Sequence, residues 1–347
     1  MRVVVREMTT SDQLQLTGSA TALGYRMPAE WEPQSCVWLV RPHNEETWPG
    51  CLTAAQAEWD AWRAVLHQVV EVREISALGI PTNDSWIRDF GPVFVRHPAR
   101  GIAGHSFRFN GWGDKYEPRT LDDAVPAAIS ARWGMPLWTH DFVLEGGSID
   151  VNGSGTVLTT RQCLEGLNRN PSSGLAGIES TLQDSLGVTN IVWLPGGIKG
   201  DDTDGHIDDI ARFISRDTIV ALRAPQGHPD HEVLEANWDA LQSACDESGQ
   251  RLKVIALPVP EPIEYDFPAD RFGPGGRSMV PASHANFLLS NGTAFVPVFG
   301  GASDDRALEV LARVLPGWQI KGVMARNLVV GLGSLHCLSC HQPSALA

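Results

Sequence analysis

Hydrophobic positions along this chain fall into runs of strand length, separated by turn residues and by longer amphipathic segments. Between residues 210 and 259, two apolar runs joined by an Arg-Asp turn precede a helix-length segment from His231 to Glu247 and a third apolar run. The same order returns at residues 285–325, where an Asn-Gly step joins the first two runs. Asn-Gly between apolar runs is a strong hairpin signal, and runs of this length indicate strands. The pattern therefore predicts repeated units of two strands, a helix and a third strand.

Three earlier segments follow the same order less clearly. They predict a hairpin at 148–160 with a helix at 176–186, a looser strand pair from WIRDFGPVFV and GHSFRFN with a helix at 121–133, and a first unit built from CVWLV, a helix at 53–69 and VREISAL. About five such units predict an α/β fold that closes into a ring, in which residues 1–347 form one domain and 1–25 an N-terminal extension. A doubly wound parallel sheet is the alternative, but the many short hairpins count against it.

Composition limits the partners. The 347 residues are 43% hydrophobic and carry a formal net charge of -14. An acidic chain disfavours a nucleic-acid partner and fits a small cationic substrate, although a solvated acidic surface explains the charge equally well. No apolar run approaches the roughly 18 residues of a membrane span, and the first residues do not resemble a secretory signal, so we expect no membrane partner and a cytoplasmic location.

Unusual polar residues stand where the predicted units begin. They cluster in the segments 83–92, 144–150, 200–209 and 331–341. Corresponding strand ends of a ring of similar units converge at one end of its axis, so we expect five side chains to meet there. They are Asp89, Glu145, His206, Asp208 and Cys337.

This set of residue types fits hydrolysis at a cationic carbon. A cysteine nucleophile reacts as a thiolate, and a histidine supplies acid and base catalysis near neutral pH. Carboxylates around a thiol raise its pKa unless a cation lies among them, so the substrate itself is expected to carry positive charge. Asp89 and Asp208 are suited to hold the edges of a planar guanidinium, with its central carbon facing Cys337.

Two metal alternatives remain open at this point. The acidic run GDDTDGHIDD suits a divalent ion, and Asp201, Asp202 and Asp204 suit part of a calcium loop, although the EF-hand spacing fails. Near the C-terminus, HCLSCH contains the C-x-x-C-H pattern of attached haem and the residue types of a zinc site. A redox or metal-binding protein using His336, Cys337, Cys340 and His341 is therefore an alternative from a different class.

A resemblance to a known family covers about Met27 to Pro343. It is carried by MPAEWEP, RPHNEETWPG, NDSWIRDFGP, FNGWGDKY, EGGSID, LTTRQCL with NRNP, WLPGGIKGDDTDGHIDD, ASHANF and GSLHC. This ordered series resembles agmatine deiminases, within the bacterial-type peptidyl-arginine deiminase family. The resemblance implies a five-bladed, pseudo-symmetric α/β propeller, the pentein fold, and hydrolysis of a guanidine without metal or cofactor.

The roles that this resemblance implies can be placed residue by residue. Cys337 is expected to be the nucleophile and His206 the acid and base, with Glu145 hydrogen-bonded beside it. Asp89 and Asp208 are expected to hold the guanidinium group. The reaction is expected to pass through a covalent S-alkylthiouronium intermediate on Cys337. Trp86, Asp202 and Arg41 are further expected near the substrate.

Departures from the family pattern affect the substrate. Arg41 stands where most members have a Trp before the Pro, and Gln34 stands where a histidine is common. Phe90 replaces a small or hydroxyl residue, and the segment GLGSLHC replaces the usual Gly-Gly-Gly-Asn-Ile-His-Cys. Arg41 would repel a distal ammonium and attract a carboxylate, unless it faces solvent or pairs with a nearby acid. Agmatine, giving N-carbamoylputrescine and ammonia, is the first expectation; free arginine, peptidyl-arginine or another guanidino acid is the alternative. A homo-oligomer is left open.

Overall fold

The computed structural model describes residues 14–269 and 275–345. The strands, in chain order, are β1 (Gln34–Leu39), β2 (Glu71–Glu74), β3 (Val93–His97), β4 (Gly101–Arg108), β5 (Leu137–Val143), β6 (Asp150–Val151), β7 (Thr156–Thr160), β8 (Asn190–Leu194), β9 (Ala211–Ser215), β10 (Thr218–Arg223), β11 (Lys253–Pro258), β12 (Glu264–Phe267), β13 (Gly276–Met279), β14 (Leu288–Ser290), β15 (Thr293–Val298), β16 (Gln319–Met324) and β17 (Ser339–Pro343). The helices are α1 (Leu52–Leu66), α2 (Ile87–Phe90), α3 (Gly111–Asp114), α4 (Thr120–Asp123), α5 (Val125–Trp133), α6 (Arg161–Leu164), α7 (Gly174–Leu186), α8 (His231–Ser243) and α9 (Ser303–Val314).

Five three-stranded sheets share one topology. Their orders are β3-β4-β5, β6-β7-β8, β9-β10-β11, β14-β15-β16 and β17-β1-β2. In each sheet the first two strands are antiparallel and the last two are parallel. Helices lie between the second and third strands, as a parallel pair requires a long connection. The predicted α/β class and the predicted order of elements within each unit are confirmed.

The sheet β17-β1-β2 joins the N-terminal and C-terminal parts of the described chain. Strand β17 pairs with β1 in an antiparallel register from Gln34–Pro343 to Leu39–Ser339, and β2 pairs with the other edge of β1. The unit predicted from CVWLV and VREISAL therefore takes its third strand from residues that follow Cys337. The nucleophile candidate is thus fixed directly ahead of a strand at the sheet that links the chain ends.

One predicted strand is partly wrong. The first half of WIRDFGPVFV forms the one-turn helix α2, and the strand begins only at Val93. Gly91 closes the turn with a backbone bond from its N–H to the Ile87 carbonyl. Pro92 has no N–H to continue a ladder and disfavours helical backbone at the residue before it, so it separates the helix from the strand.

The core lies between each sheet and its helix. Trp59, Trp62 and Leu66 of α1 are fully buried, as is Trp38 of β1. Burying each large apolar side chain contributes about 1.5–3 kcal/mol. These contacts keep the sheets in place and so fix the positions of the segments that lead into their first strands.

The N-terminal segment packs on the second unit. Leu16 donates a backbone hydrogen bond to the Leu137 carbonyl, and the Tyr25 ring meets Trp138 edge-on at 5.2 Å. The first half of the predicted extension over 1–25, residues 1–13, lies outside the described residues. Within 14–269 and 275–345, no helix combines the length and apolarity that crossing a membrane requires.

Candidate active site

Short turns ahead of the first strands bring the predicted side chains together. Helix α2 carries Asp89, a 3₁₀ turn at Gly146–Ser148 follows Glu145, and a second 3₁₀ turn at Ile207–Asp209 follows His206 and carries Asp208. Cys337 lies in the turn before β17. The five side chains named from the sequence therefore lie in one cluster, and the distances between them decide what they can do.

The Cys337 thiol lies at the inner end of a cavity and is 5% exposed. Its Sγ is 3.7 Å from Asp208 Oδ2 and accepts a hydrogen bond from Asn286 Nδ2 at 3.0 Å. Burial raises the pKa of Cys337 well above its usual range, and the charges of Asp208, Asp209 and Asp89 raise it further. A bound cation among these carboxylates would offset that repulsion and favour the thiolate.

His206 is fully buried beside Asp89, whose Oδ1 lies 3.5 Å from His206 Nδ1. Within the described residues neither ring nitrogen has a hydrogen-bond partner. Burial alone would lower the pKa of His206, but Asp89, with Cys163 and Glu145, raises it well above its usual value. The free site therefore holds an imidazolium, which is the form needed to give a proton to a leaving nitrogen.

Asp89 is held by two donors. Trp112 Nε1 donates to its Oδ2 at 3.0 Å, and the Gly147 N–H donates to its Oδ1 at 3.0 Å. Burial raises the pKa of Asp89 to about 6, with His206 opposing the shift and Asp208 adding to it. At neutral pH this carboxylate is charged and able to bind a cation.

Asp208 is anchored by a buried chain of charges. His336 Nδ1 lies 2.6 Å from Asp208 Oδ2, and His336 Nε2 lies 2.8 Å from Glu30 Oε2. Burial raises the pKa of Asp208, but the hydrogen bond and charge of His336 outweigh it and lower the pKa. Glu30 is paired in turn with Arg212 at 2.9 Å. Asp208 thus stays ionised in a fully buried position.

Glu145 is fully buried and accepts a hydrogen bond from Arg169 Nε at 2.7 Å through Oε1. Its other oxygen has no hydrogen-bond partner in the described part of the chain. Reactive atoms of Glu145, Cys163 and His206 lie within 4.8 Å of one another. Glu145 is therefore placed behind His206, away from the cavity.

The cavity has a volume of about 1000 Å³ and an acidic wall. Among the described residues, the acidic side chains that line it are Glu45, Glu46, Asp84, Asp89, Glu117, Asp122, Asp201 and Asp202. Burial raises the pKa of Asp122 to about 8, so this carboxyl group is mostly uncharged at neutral pH. Among the residues that the structure describes, two arginines also line it, but Arg119 pairs with Asp114 at 2.8 Å and Arg277 with Glu264. The field in the cavity favours cations.

Of the three further candidates for substrate binding, two line the cavity and one does not. Trp86 lines the cavity and stacks on Trp48 at 5.2 Å. Asp202 lines it too and accepts hydrogen bonds from Tyr116 and, through its backbone carbonyl, from Lys115. Arg41 is not among the described residues that line it, because its guanidinium makes two hydrogen bonds to Asp60 at 2.8 and 3.0 Å. Of the alternatives weighed for Arg41, pairing with a nearby acid is the one observed.

Three contributors to the cluster were missed from the sequence. Asn286 contacts the thiol, Trp112 contacts Asp89, and Glu30 supports His336. Their segments ASHANF, FNGWGDKY and MPAEWEP carried the family resemblance, but no spacing rule connects them to the catalytic side chains. Trp112 adopts a left-handed φ of 53°, which directs its indole to Asp89 and cannot be read from sequence.

The C-terminal Cys/His set is not one ligand group. Cys340 Sγ contacts the Pro92 carbonyl at 3.4 Å, His341 Nδ1 faces Arg88 at 3.2 Å, and both His336 nitrogens face carboxylates. Among the residues described, the sets compact enough to share an ion are Glu145, Cys163 and His206, and Asp208, Asp209 and Cys337. Both sets belong to the cluster already described. In the acidic run, Asp201 accepts hydrogen bonds from the Thr203 and Gly205 N–H groups of its own loop, and Asp204 accepts one from Arg169. Neither the haem-like pattern nor the calcium-loop pattern is supported by this geometry.

Comparisons with known proteins show which family this chain resembles. The model of the Porphyromonas-type peptidyl-arginine deiminases matches residues 26–343. Agmatine deiminase of Pseudomonas aeruginosa is 33% identical, with 94% of this chain and 98% of that protein covered.

Two solved structures are also similar. Agmatine deiminase of Enterococcus faecalis superposes with a TM-score of 0.89 at 30% identity, covering 95% of this chain and 99% of that one. A cysteine-to-serine variant of agmatine deiminase from C. jejuni with substrate bound superposes with a TM-score of 0.81 at 29% identity, covering 93% and 97%.

Proposed function

The chain belongs to the Porphyromonas-type peptidyl-arginine deiminase family, and on that premise we propose that it hydrolyses agmatine to N-carbamoylputrescine and ammonia. The observation that carries the proposal is the buried cluster of Asp89, His206, Asp208 and Cys337, of which Asp89 and Cys337 line the acidic cavity. A guanidinium fits between two carboxylates because its N–H groups form a fork that matches their oxygens. A thiol whose pKa is raised by carboxylates becomes reactive when such a cation arrives.

The first half-reaction forms a bond from sulfur to carbon. Guanidinium binding between Asp89 and Asp208 favours loss of the Cys337 proton, and the thiolate attacks the central carbon. The His206 imidazolium gives its proton to one nitrogen, the carbon–nitrogen bond breaks, and ammonia leaves. The product of this step is an S-alkylthiouronium cation that the same two carboxylates hold.

The second half-reaction hydrolyses the covalent intermediate and regenerates the free enzyme. His206, now neutral, takes a proton from a water that attacks the same carbon, so the residue acts first as acid and then as base. The carbon–sulfur bond breaks with its electron pair on Cys337, which leaves as thiolate. The hydroxyl proton passes to solvent, the neutral ureido product departs, and Cys337 regains from solvent the proton that it released there in the first half-reaction. Glu145, behind the imidazole, stabilises its charged form in both half-reactions.

The acidic wall of the cavity favours agmatine over guanidino acids, because these substrates differ in charge at the end far from the guanidinium. A distal ammonium would face carboxylates such as Asp202, whereas a carboxylate would need a free cation there. Within residues 14–269 and 275–345, the two arginines that line the cavity are already paired with acids, and Arg41 is paired with Asp60. Free arginine and other guanidino acids are therefore the second choice.

A panel of guanidines tests this proposal directly. Ammonia release and ureido product are measured with agmatine, arginine, a C-terminal arginyl peptide and guanidinobutyrate at equal concentrations. We expect agmatine to give the highest kcat/KM, by about tenfold or more if one ion pair distinguishes the tails. Robust turnover of a guanidino acid without turnover of agmatine would reject agmatine as substrate, and no turnover of any guanidine would reject deimination.

We also propose that the five three-stranded sheets are the blades of a single propeller domain. The support is their shared strand order, together with the pairing of β17 with β1. The cytoplasmic location and the absence of a nucleic-acid partner stay predictions from the sequence.

A further inference from the structure

Asn286 occupies a position that the proposed mechanism does not use. It lies in the turn before β14, is fully buried, and directs its side chain at the nucleophile. Its Nδ2 is 3.0 Å from Cys337 Sγ and 3.0 Å from Asp209 Oδ1. Both amide hydrogens are therefore engaged, one of them by the sulfur that would attack the substrate.

The other end of the same side chain binds the turn that carries the nucleophile. Asn286 Oδ1 accepts from Ser334 Oγ at 2.8 Å, from the His336 N–H at 3.0 Å and from the Cys337 N–H at 3.4 Å. These donors fix the orientation of the amide, since a flipped amide would place N–H groups against N–H groups and an oxygen against a carboxylate. The N–H end must face the sulfur.

A hydrogen-bond donor beside Cys337 Sγ offsets the repulsion between the thiolate and the nearby carboxyl groups. The carboxyl groups of Asp89, Asp208 and Asp209 surround the thiol and disfavour its ionisation. A substrate cation offsets this repulsion only while it is bound. The thiolate that leaves in the second half-reaction departs from a neutral ureido product, so a fixed hydrogen-bond donor is needed at that moment.

We propose that Asn286 is a catalytic residue, whose side-chain N–H stabilises the Cys337 thiolate as it attacks the guanidinium and again as it is expelled. The proposal rests on the proposed deimination chemistry. In the first step the sulfur lone pair forms the carbon–sulfur bond and the hydrogen bond weakens. In the second step that bond's electron pair returns to sulfur and the hydrogen bond strengthens, while Asn286 itself neither gains nor loses a proton.

Two substitutions separate this role from a purely structural one. Asn286→Asp keeps an oxygen for the three donors of the nucleophile turn but replaces the N–H donor with a carboxyl oxygen. Asn286→Ala removes both functions. A donor role predicts that Asn286→Ala, which adds no charge, slows alkylation of Cys337, whereas a role confined to holding the turn predicts no such slowing. Asn286→Asp is expected to slow it at least as much, because its carboxyl group adds to the repulsion around the thiol.

Asn152 offers a matched control. It is also buried, its Oδ1 accepts from the N–H groups of Ser154, Gly155 and Thr156, and its Nδ2 donates to the Arg216 carbonyl and to Glu247. It lies in the turn between β6 and β7 and contacts none of the catalytic side chains. Asn152→Asp therefore reports what the same exchange does to a buried structural asparagine.

The measurement is the rate at which iodoacetamide alkylates Cys337, followed from pH 7 to 10 by fragmentation mass spectrometry that separates Cys337 from Cys340. For both Asn286 variants we expect the rate at pH 9 to fall about tenfold, equivalent to a thiol pKa higher by about one unit. We expect kcat/KM for agmatine to fall about 10²–10³-fold, the usual effect of losing one such donor. Asn152→Asp is expected to leave both quantities within about twofold of wild type.

The alternative outcomes are distinct. An Asn286→Asp variant with wild-type alkylation and turnover overturns the proposal. If that variant does not fold, Asn286→Ala decides the question, because a turn that is merely loosened exposes the thiol to water and speeds alkylation, whereas a lost donor slows it. Alkylation needs no substrate, so a wild-type enzyme that fails on agmatine rejects the proposed function without affecting this test.

Discussion

Single residues in this cluster owe their ionisation to what surrounds them. Two aspartates are proposed to hold the same guanidinium, yet burial raises the pKa of Asp89 to about 6 while His336 lowers that of Asp208. His336 can do so because Glu30 holds its other nitrogen. The two carboxylates are thus prepared differently for one task, and that difference leads to testable behaviour.

The two cysteines near the C-terminus are expected to behave differently. Cys337→Ala should abolish agmatine turnover, because no other group can form the covalent intermediate. Cys340→Ala should keep most turnover, because the hydrogen bond of that buried thiol goes to the Pro92 carbonyl and burial raises its pKa to about 11. The assay is ammonia release at saturating agmatine, with the folded fraction of each variant checked by circular dichroism. Equal losses in the two variants would mean that the cysteines act as a pair.

Asp89 predicts the acid limb of the pH profile. Below its pKa of about 6 the carboxyl takes up a proton and the guanidinium loses one partner. We therefore expect kcat/KM for agmatine to fall about tenfold per pH unit below pH 6 and to be unaffected by this group above pH 7. In kcat at saturating substrate the limb should move to lower pH, since the bound cation favours the carboxylate.

Trp112 provides the control for that assignment. Its indole N–H stabilises the charged form of Asp89 through a hydrogen bond of 3.0 Å. Trp112→Phe removes the donor, so the pKa of Asp89 should rise and the acid limb of kcat/KM should move to higher pH. A limb that stays in place, or a profile that is flat between pH 7 and 5, would contradict the role given to Asp89.

At the scale of elements, short turns ahead of the strands position the chemistry. Helix α2 has four residues and the turns at Gly146–Ser148 and Ile207–Asp209 have three each. Such elements have little intrinsic stability, so the strands that follow them and the buried contacts around them hold their geometry. A small change inside one turn should then disturb the site more than the fold.

Gly147 is the sharpest test of this idea. A Cβ there would lie 2.6 Å from His206 Nδ1 and 2.7 Å from Asp89 Oδ1, closer than any ordinary contact. Gly147→Ala should lower kcat/KM by about 10²-fold or more, because a displacement of about 1 Å in a site costs that much. The melting temperature, followed by circular dichroism, should change little.

Gly177 is the matched glycine for comparison. It lies within helix α7, where an added Cβ meets only the Ser173 side chain, at 3.2 Å. Gly177→Ala should keep full turnover and stabilise the helix by up to about 1 kcal/mol. Gly147→Ala with wild-type kinetics would mean that the turn can move aside without cost.

For the molecule as a whole, pairing between the chain ends is the decisive feature. Strand β17 is one of two partners of β1, and Trp38 Nε1 reinforces the pair by donating to Gln342 at 3.1 Å. Only Leu338 separates Cys337 from this strand, so the same pairing stabilises the sheet and positions the proposed nucleophile.

Truncation tests this feature. A chain ending at Leu338 keeps every predicted catalytic residue but lacks β17, which leaves β1 with an unpaired edge and an uncovered core. We expect the loss to approach the roughly 5–15 kcal/mol that stabilises a typical folded protein, and therefore no folded, active protein. A chain ending at Ser344 keeps the whole of β17 and should melt and turn over agmatine like wild type. Thermal unfolding and ammonia release measure both, and an active chain ending at Leu338 would refute the role of β17.

The sequence by itself determined the order of the elements. Periods of two and of about 3.6 residues are local properties, so the strands at 210–259 and 285–325 and the helices between them could be predicted from neighbouring residues alone. The long motif WLPGGIKGDDTDGHIDD and its companions likewise carried the family. The local signal failed at WIRDF, where a proline separates a one-turn helix from the strand.

Only the tertiary structure decided which side chains meet and how they ionise. Asn286 and Cys337 are 51 residues apart, and Glu30 and His336 are 306 residues apart, so neither contact has a signal in the spacing of residues. A pKa depends on burial and on charges within a few ångströms, and both arise when distant segments pack together. For the same reason Arg41, a candidate for the substrate from its place in the sequence, is bound to Asp60 in the structure.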